Sequence, residues 1–238
     1  MKIIKLSFFL TIFSLILSAC NPAGSTLIKA PLPTINPSNS IGSGTSPVPK
    51  LLPSIEIKGN FTPVIGGIKL ADAKKIIIDD LKESGIKGNI ENSIIIKEIT
   101  SKEVWDNDEI QLFDVNLDYA WVSGVAIIKN EKIISFLSGL TVMERFVADL
   151  DNDKFYEVYI SLSNGSGRIL PEIKGYNPQT NKIYSYSGTF PGEGYQDVFY
   201  SLFINEGKLY VRAKDQIGAL LLTKTNGKNE LAIQRSGN

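Results

Sequence analysis

The sequence predicts an α+β fold dominated by antiparallel β-sheet, with one amphipathic helix packed on a multi-stranded sheet system. Three observations carry this. One stretch, Lys69–Ser84, repeats its apolar residues at helical spacing. After Gly88, short apolar or alternating runs follow one another to the C-terminus. Turn chemistry (Asn177-Pro178, Asn205-Glu206-Gly207, Asn226-Gly227) separates the runs, with no helical period between them to carry parallel crossovers.

Length and composition bound the rest. The 238 residues suit one ordinary domain with extensions, and lysine plus arginine equal aspartate plus glutamate at 25 each. That balance lacks the basic face nucleic acid requires. There is no histidine, which excludes imidazole-based nucleophile systems and histidine metal sites. Cys20 is the one cysteine, so neither an internal disulfide nor a multi-cysteine metal cluster can form.

At the N-terminus, Lys2 and Lys5 precede an uncharged apolar core, Leu6 to Leu17, too short for a comfortable membrane span. It ends at Leu17-Ser18-Ala19-Cys20, which resembles the lipobox of bacterial lipoproteins. The resemblance covers the first twenty residues. It implies a signal peptide over 1–19, diacylglyceryl transfer to the Cys20 thiol, cleavage before Cys20 and acylation of the new amino group, palmitate included. Two or more acyl chains anchor stably where one is marginal. The expected location is then the bacterial cell membrane or outer membrane, with the domain outside the cytoplasm. Cleavage leaves 23 basic against 25 acidic residues, a net charge of −2, so the lipid would carry the attachment.

Residues 20–54 read as a lipid-anchored, disordered tether rich in Pro, Ser and Gly. Seven of the eleven prolines lie between Asn21 and Pro53, and no acid does. Such a composition buries too little apolar surface to offset the entropy of ordering it. A single globular domain is expected over 55–238. In its helix, Leu70, Ala73, Ile77 and Leu81 share one face with Ile76 beside them, Lys75 and Asp79 form an i, i+4 pair, and Gly85 supplies the stop. Strands are expected over 93–99, 110–115, 119–128, 132–137, 142–148, 155–162, 169–176, 182–186, 198–204, 208–213, 219–223 and 230–234, with a hairpin turn at Lys129–Lys132.

Between two of these strands stands the most acidic stretch, Asp149-Leu150-Asp151-Asn152-Asp153-Lys154-Phe155-Tyr156-Glu157. Calcium takes six to eight hard oxygens, and alternating aspartates in a tight loop can converge on one ion. Asp149, Asp151 and Asp153 would supply positions 1, 3 and 5, the Phe155 carbonyl position 7 and Glu157 position 9. Ile160 stands where an EF-hand has its bidentate glutamate, and no helices flank the loop. The stretch resembles the D-x-D-x-D-G-x-x-D/E calcium loops of FG-GAP and VCBS-type repeats. It departs from them at Lys154, which replaces their glycine, and in occurring once, so a full propeller is not implied. The wider stretch to Gly167 resembles a recurrent segment of uncharacterised bacterial envelope proteins, which implies no activity. The competing reading is a solvated acidic turn, ion-paired through Lys154 or Arg145.

Other candidates are weaker. Gly165-Ser166-Gly167 and Ser84-Gly85-Ile86-Lys87 lack the partners a serine nucleophile needs. The stretch Tyr184 to Asp197 is aromatic and glycine-rich, and rings at Tyr184, Tyr186, Phe190 and Tyr195 would form a ligand-binding loop if exposed. The expected function is a non-enzymatic binding or structural domain with a calcium-stiffened loop, its partners the membrane through the anchor and an envelope glycan or protein. The alternative is a histidine-free hydrolase acting on glycans through paired carboxylates drawn from Asp106, Asp108, Glu109 and Glu157.

Overall fold

The computed structural model describes residues 52–58, 64–165, 170–191, 198–225 and 228–235. Cys20, the signal segment, most of the tether, Ser166, Gly167 and Tyr195 lie outside them. The fold is mostly antiparallel β, with thirteen strands in three open sheets among the described residues.

The central sheet has β1 (Ile55–Glu56), β6 (Thr141–Ala148), β7 (Glu157–Asn164), β8 (Leu170–Asn177) and β9 (Lys182–Tyr186), in the order β1-β6-β7-β8-β9. A second sheet has β2 (Ile95–Glu98), β3 (Gln111–Leu117), β4 (Val122–Lys129) and β5 (Lys132–Gly139) in sequence order. A third has β10 (Ser201–Asn205), β11 (Lys208–Ala213), β12 (Gln216–Thr225) and β13 (Lys228–Arg235), also in sequence order. Among the described residues, three α-helices, α1 (Leu70–Glu83), α2 (Ile90–Ser93) and α3 (Lys102–Asp108), and a 3-10 turn at Asp118–Ala120 complete the order.

Side-chain alternation along the strands shows how the layers stack. Val158, Ile160 and Leu162 of β7 join a core with Leu112, Val125, Ile127 and Leu137 of the second sheet. On the opposite face, Tyr159, Phe146 and Ile173 join Leu209, Val211 and Leu220 of the third. The central sheet is thus covered on both faces, which is why β7 is buried along nearly its whole length. The outer face of the second sheet, with Phe113, Val115 and Ala126, packs against α1 through Ala73, Ile77 and Leu81. The order of layers is helix, sheet, sheet, sheet.

The helix forms over the expected residues, with its buried face rotated. Leu70 is 46% exposed, while Ile78 is buried beside Ala73, Ile77 and Leu81. Its end is a Schellman motif: the Gly85 N–H donates to the Lys82 carbonyl and the Ile86 N–H to the Leu81 carbonyl, with Gly85 at φ +91°. The helix's lysine partner is also different, for Lys82 pairs with Glu91. The run over 93–99 divides into α2 and β2, and α3 stands between β2 and β3 where no helix was expected. Ser101 caps α3, its hydroxyl accepting from the Val104 N–H at 3.3 Å. At seven residues, α3 is too short to show a period. The expected Lys129–Lys132 hairpin forms with Asn130 and Glu131 both at positive φ, the geometry of a type I′ turn.

Candidate metal centre

The loop after β6 returns directly into β7, its antiparallel neighbour, with Ala148 paired to Glu157. This closure brings Asp149, Asp151, Asp153 and Glu157 together, with one carboxylate oxygen of each within 4.8 Å of the others. Such a cluster could hold a metal ion. The loop's own amides shape it. Asp149 accepts from the N–H of Asp153 at 3.0 Å and of Lys154 at 3.1 Å, and Asp153 accepts from the Phe155 N–H at 2.9 Å. Asn152 and Lys154 sit at φ +61° and +73°. Lys154 is therefore left-handed where a glycine would be unstrained, at a cost of about 1 kcal/mol or more.

Glu157 anchors the floor and is fully buried. Its Oε2 accepts from the Leu150 N–H at 2.8 Å and the Tyr159 hydroxyl at 3.1 Å. Asn177 closes the other side. The register pairs Val158 with Tyr176, so Asn177, at the end of β8, lies beside Glu157. Its amide donates to Glu157 Oε1 at 3.0 Å and to Asp151 Oδ2 at 3.3 Å, while its own oxygen accepts from the N–H groups of Gln179 and Thr180. A third support comes from α3: Asp108 accepts from the Tyr156 N–H at 3.2 Å, and Asn107 donates to the Lys154 carbonyl at 3.1 Å.

Burial pushes the Glu157 carboxyl up to about 8, and the nearby Asp151 charge adds to it. Burial raises Asp149 and Asp151 as well, and lifts Asp108 to about 6. Arg145, considered as a partner for the loop, pairs instead with Asp114 at 2.5 Å across the gap to the second sheet. Among the described residues no ion pair reaches the four acids.

Asp106 is exposed and paired with Lys102. Asp108 and Glu157 are each committed to loop amides, and Glu109 is the left-handed residue that ends α3. In the aromatic stretch, Tyr184 and Phe190 turn inward and are buried in the core between the central and third sheets, and Tyr186 is half-buried beside Tyr200. Phe190 also lines a cavity of about 550 Å³ with Val198 and Tyr200. Asn177 was legible only as a turn residue and Asp108 only as a candidate hydrolase acid, because their roles at the loop depend on strand register and on a helix no period announced. Comparison with protein-family models, with curated proteins and with solved structures gave no match.

Proposed function

We propose that this chain is a lipid-anchored protein of the bacterial envelope, tethered through Cys20, whose β-domain is a non-enzymatic binding or structural module stiffened by calcium in the Asp149–Glu157 loop. The observation that carries the calcium part is the convergence of four carboxylates that no cationic side chain among the described residues neutralises. All four are hard oxygen donors, and no nitrogen or sulfur ligand stands among them, which suits calcium over transition metals. The Phe155 carbonyl would add a further ligand. Bound there, calcium would fix the β6–β7 connection and, through Asp108 and Asn107, the end of α3.

Calcium binding only the folded state stabilises it by RT ln(1 + [L]/Kd). At about 1 mM calcium and a Kd near 10⁻⁴ M this is roughly 1.4 kcal/mol, or about 3–6 °C in melting temperature for a domain of this size. Thermal melts of the chain from Leu51 in EDTA, calcium and magnesium check it. Calcium should raise the melt, magnesium should raise it less, and Asp151→Asn with Asp153→Asn should remove the response. Coincident melts in all three media exclude the ion. The anchor has its own test: Cys20→Ala should leave an unprocessed precursor without radiolabelled palmitate, and equal label in mutant and wild type would refute lipidation.

A further inference from the structure

At the far end of β6 from the acidic loop, the gap between the central and second sheets opens into a cavity of about 430 Å³. It falls within the roughly 300–1,000 Å³ of small-molecule sites. Its walls break the pattern of the core beside it. On β3, Leu112 faces the central sheet as core, yet Asp114 and Asn116, on the same face, line the cavity. On β6, a bulge lies between Val142 and Glu144. It shifts the alternation by one residue and turns Arg145 towards β3. There Arg145 pairs with Asp114, while its Nε is buried without a hydrogen-bond partner.

At the rim stands Trp121, 73% exposed, with φ +53°. It follows the 3-10 turn Asp118–Ala120, its N–H donating to the Asp118 carbonyl at 3.1 Å. Among the described residues, the other non-glycine residues at positive φ are all Asn, Glu or Lys. An indole held in a disfavoured backbone region and left largely in water makes little use of its apolar surface in the fold.

We propose that this cleft binds a neutral pyranose unit of an envelope glycan, with the sugar's C–H face on Trp121 and its hydroxyls on Asn116, Asp118, Thr141 and Arg145. This rests on the reading of the domain as an envelope binding module and names the class of its ligand. Hydroxyl groups need donors and acceptors together, and the cleft offers both: carboxylates at Asp114 and Asp118, donors at Asn116, Thr141 and the Arg145 guanidinium. Two carboxylates against one guanidinium disfavour an anionic ligand. An ammonium ligand would use only the acceptors and would meet Arg145 besides.

The test is isothermal titration calorimetry of the full-length chain, held in a sugar-free polyoxyethylene detergent, with cellotetraose, chitotetraose and maltotetraose. At least one should bind saturably with a blue shift of tryptophan emission. Trp121→Gly suits the left-handed backbone, so it should melt no lower than wild type while raising Kd about tenfold or more. Asn116→Ala should weaken binding several-fold with an unchanged melt. Saturable binding by none of the three sugars, undiminished binding by Trp121→Gly, a large fall in its melting temperature, or competition by tetramethylammonium chloride would each overturn the proposal. The calcium melts report on the loop alone and the calorimetry on the cleft alone, so the two readings fail separately.

Discussion

In EDTA the domain should melt about 4–8 °C higher at pH 5 than at pH 8, and calcium should flatten that slope. The cause is Glu157, fully buried at the head of β7 and pushed up to about 8 by burial. Asp108, lifted to about 6 by burial, acts in the same direction, as do Asp149 and Asp151. The folded protein therefore keeps protons that the unfolded chain releases between the ordinary carboxylate range near pH 4.5 and pH 8. Where the folded state binds more protons, stability falls as pH rises. The contribution is complete below the unfolded value and lost as pH passes through the folded ones. Discounted for relaxation, it is on the order of 2 kcal/mol, and each kcal/mol is worth about 2–4 °C at this size. Calcium binds the ionised carboxylates and displaces those protons, so its stabilisation should be larger at pH 8 than at pH 5. Glu157→Gln should flatten most of the slope in EDTA, raise the melt at pH 8 and lose much of the calcium response. Melts in EDTA that rise from pH 5 to pH 8, or a Glu157→Gln slope equal to wild type, would show that the buried acid does not govern stability.

Local pattern carried much of this architecture and little of the pairing between distant parts. Burial on both faces makes Val158–Leu162 of β7 apolar but for Ser161, and the positive-φ Asn130-Glu131 pair marks a hairpin by residue type alone. Both were readable because their causes lie within a few residues of each other. The division into three sheets was not, because β1 pairs with β6 across some ninety residues, with Ile55 against Val147. Helix α3 escaped for lack of length, although Ser101 with Glu103 in the first turn is a capping signal in retrospect. At the loop, the four acids could be named from spacing, since one short segment supplies them all. Their supports could not: Asn177 arrives through the β7–β8 register and Asp108 through a helix packed from elsewhere in the chain. The bulge that aims Arg145 at Asp114 leaves no mark in residue type, so sequence alone leaves Arg145 equally open to the acidic loop.

Gly175→Val should lower the melting temperature by about 6–12 °C and weaken calcium binding as well. Gly175 lies in β8 opposite Tyr159 of β7, and the tyrosine ring occupies the space a side chain would take. A Cβ there would stand 2.5 Å from Tyr159 Cε1 and 2.7 Å from Cδ1. The glycine is required by space, with a fully buried ring laid over it in the core between the central and third sheets. Valine must displace that ring, and overpacking of this kind costs about 1–3 kcal/mol. The displaced hydroxyl also leaves Glu157 Oε2, to which it donates at 3.1 Å, removing a partner from a buried acid at a further cost of about 1 kcal/mol. The combined loss, near 3 kcal/mol, gives the predicted shift at about 2–4 °C per kcal/mol. Two variants separate packing from the site. Tyr159→Phe keeps the ring and removes only the hydroxyl, so it should change the calcium response more than the melt in EDTA. Gly175→Val in a Tyr159→Leu background should cost much less than in the wild type, because the smaller side chain has vacated the ring's space and the two changes are coupled. A Gly175→Val melt within 2 °C of wild type, or additive costs in the double variant, would mean that the ring is free to move and that Tyr159 does not transmit the packing of β8 to Glu157.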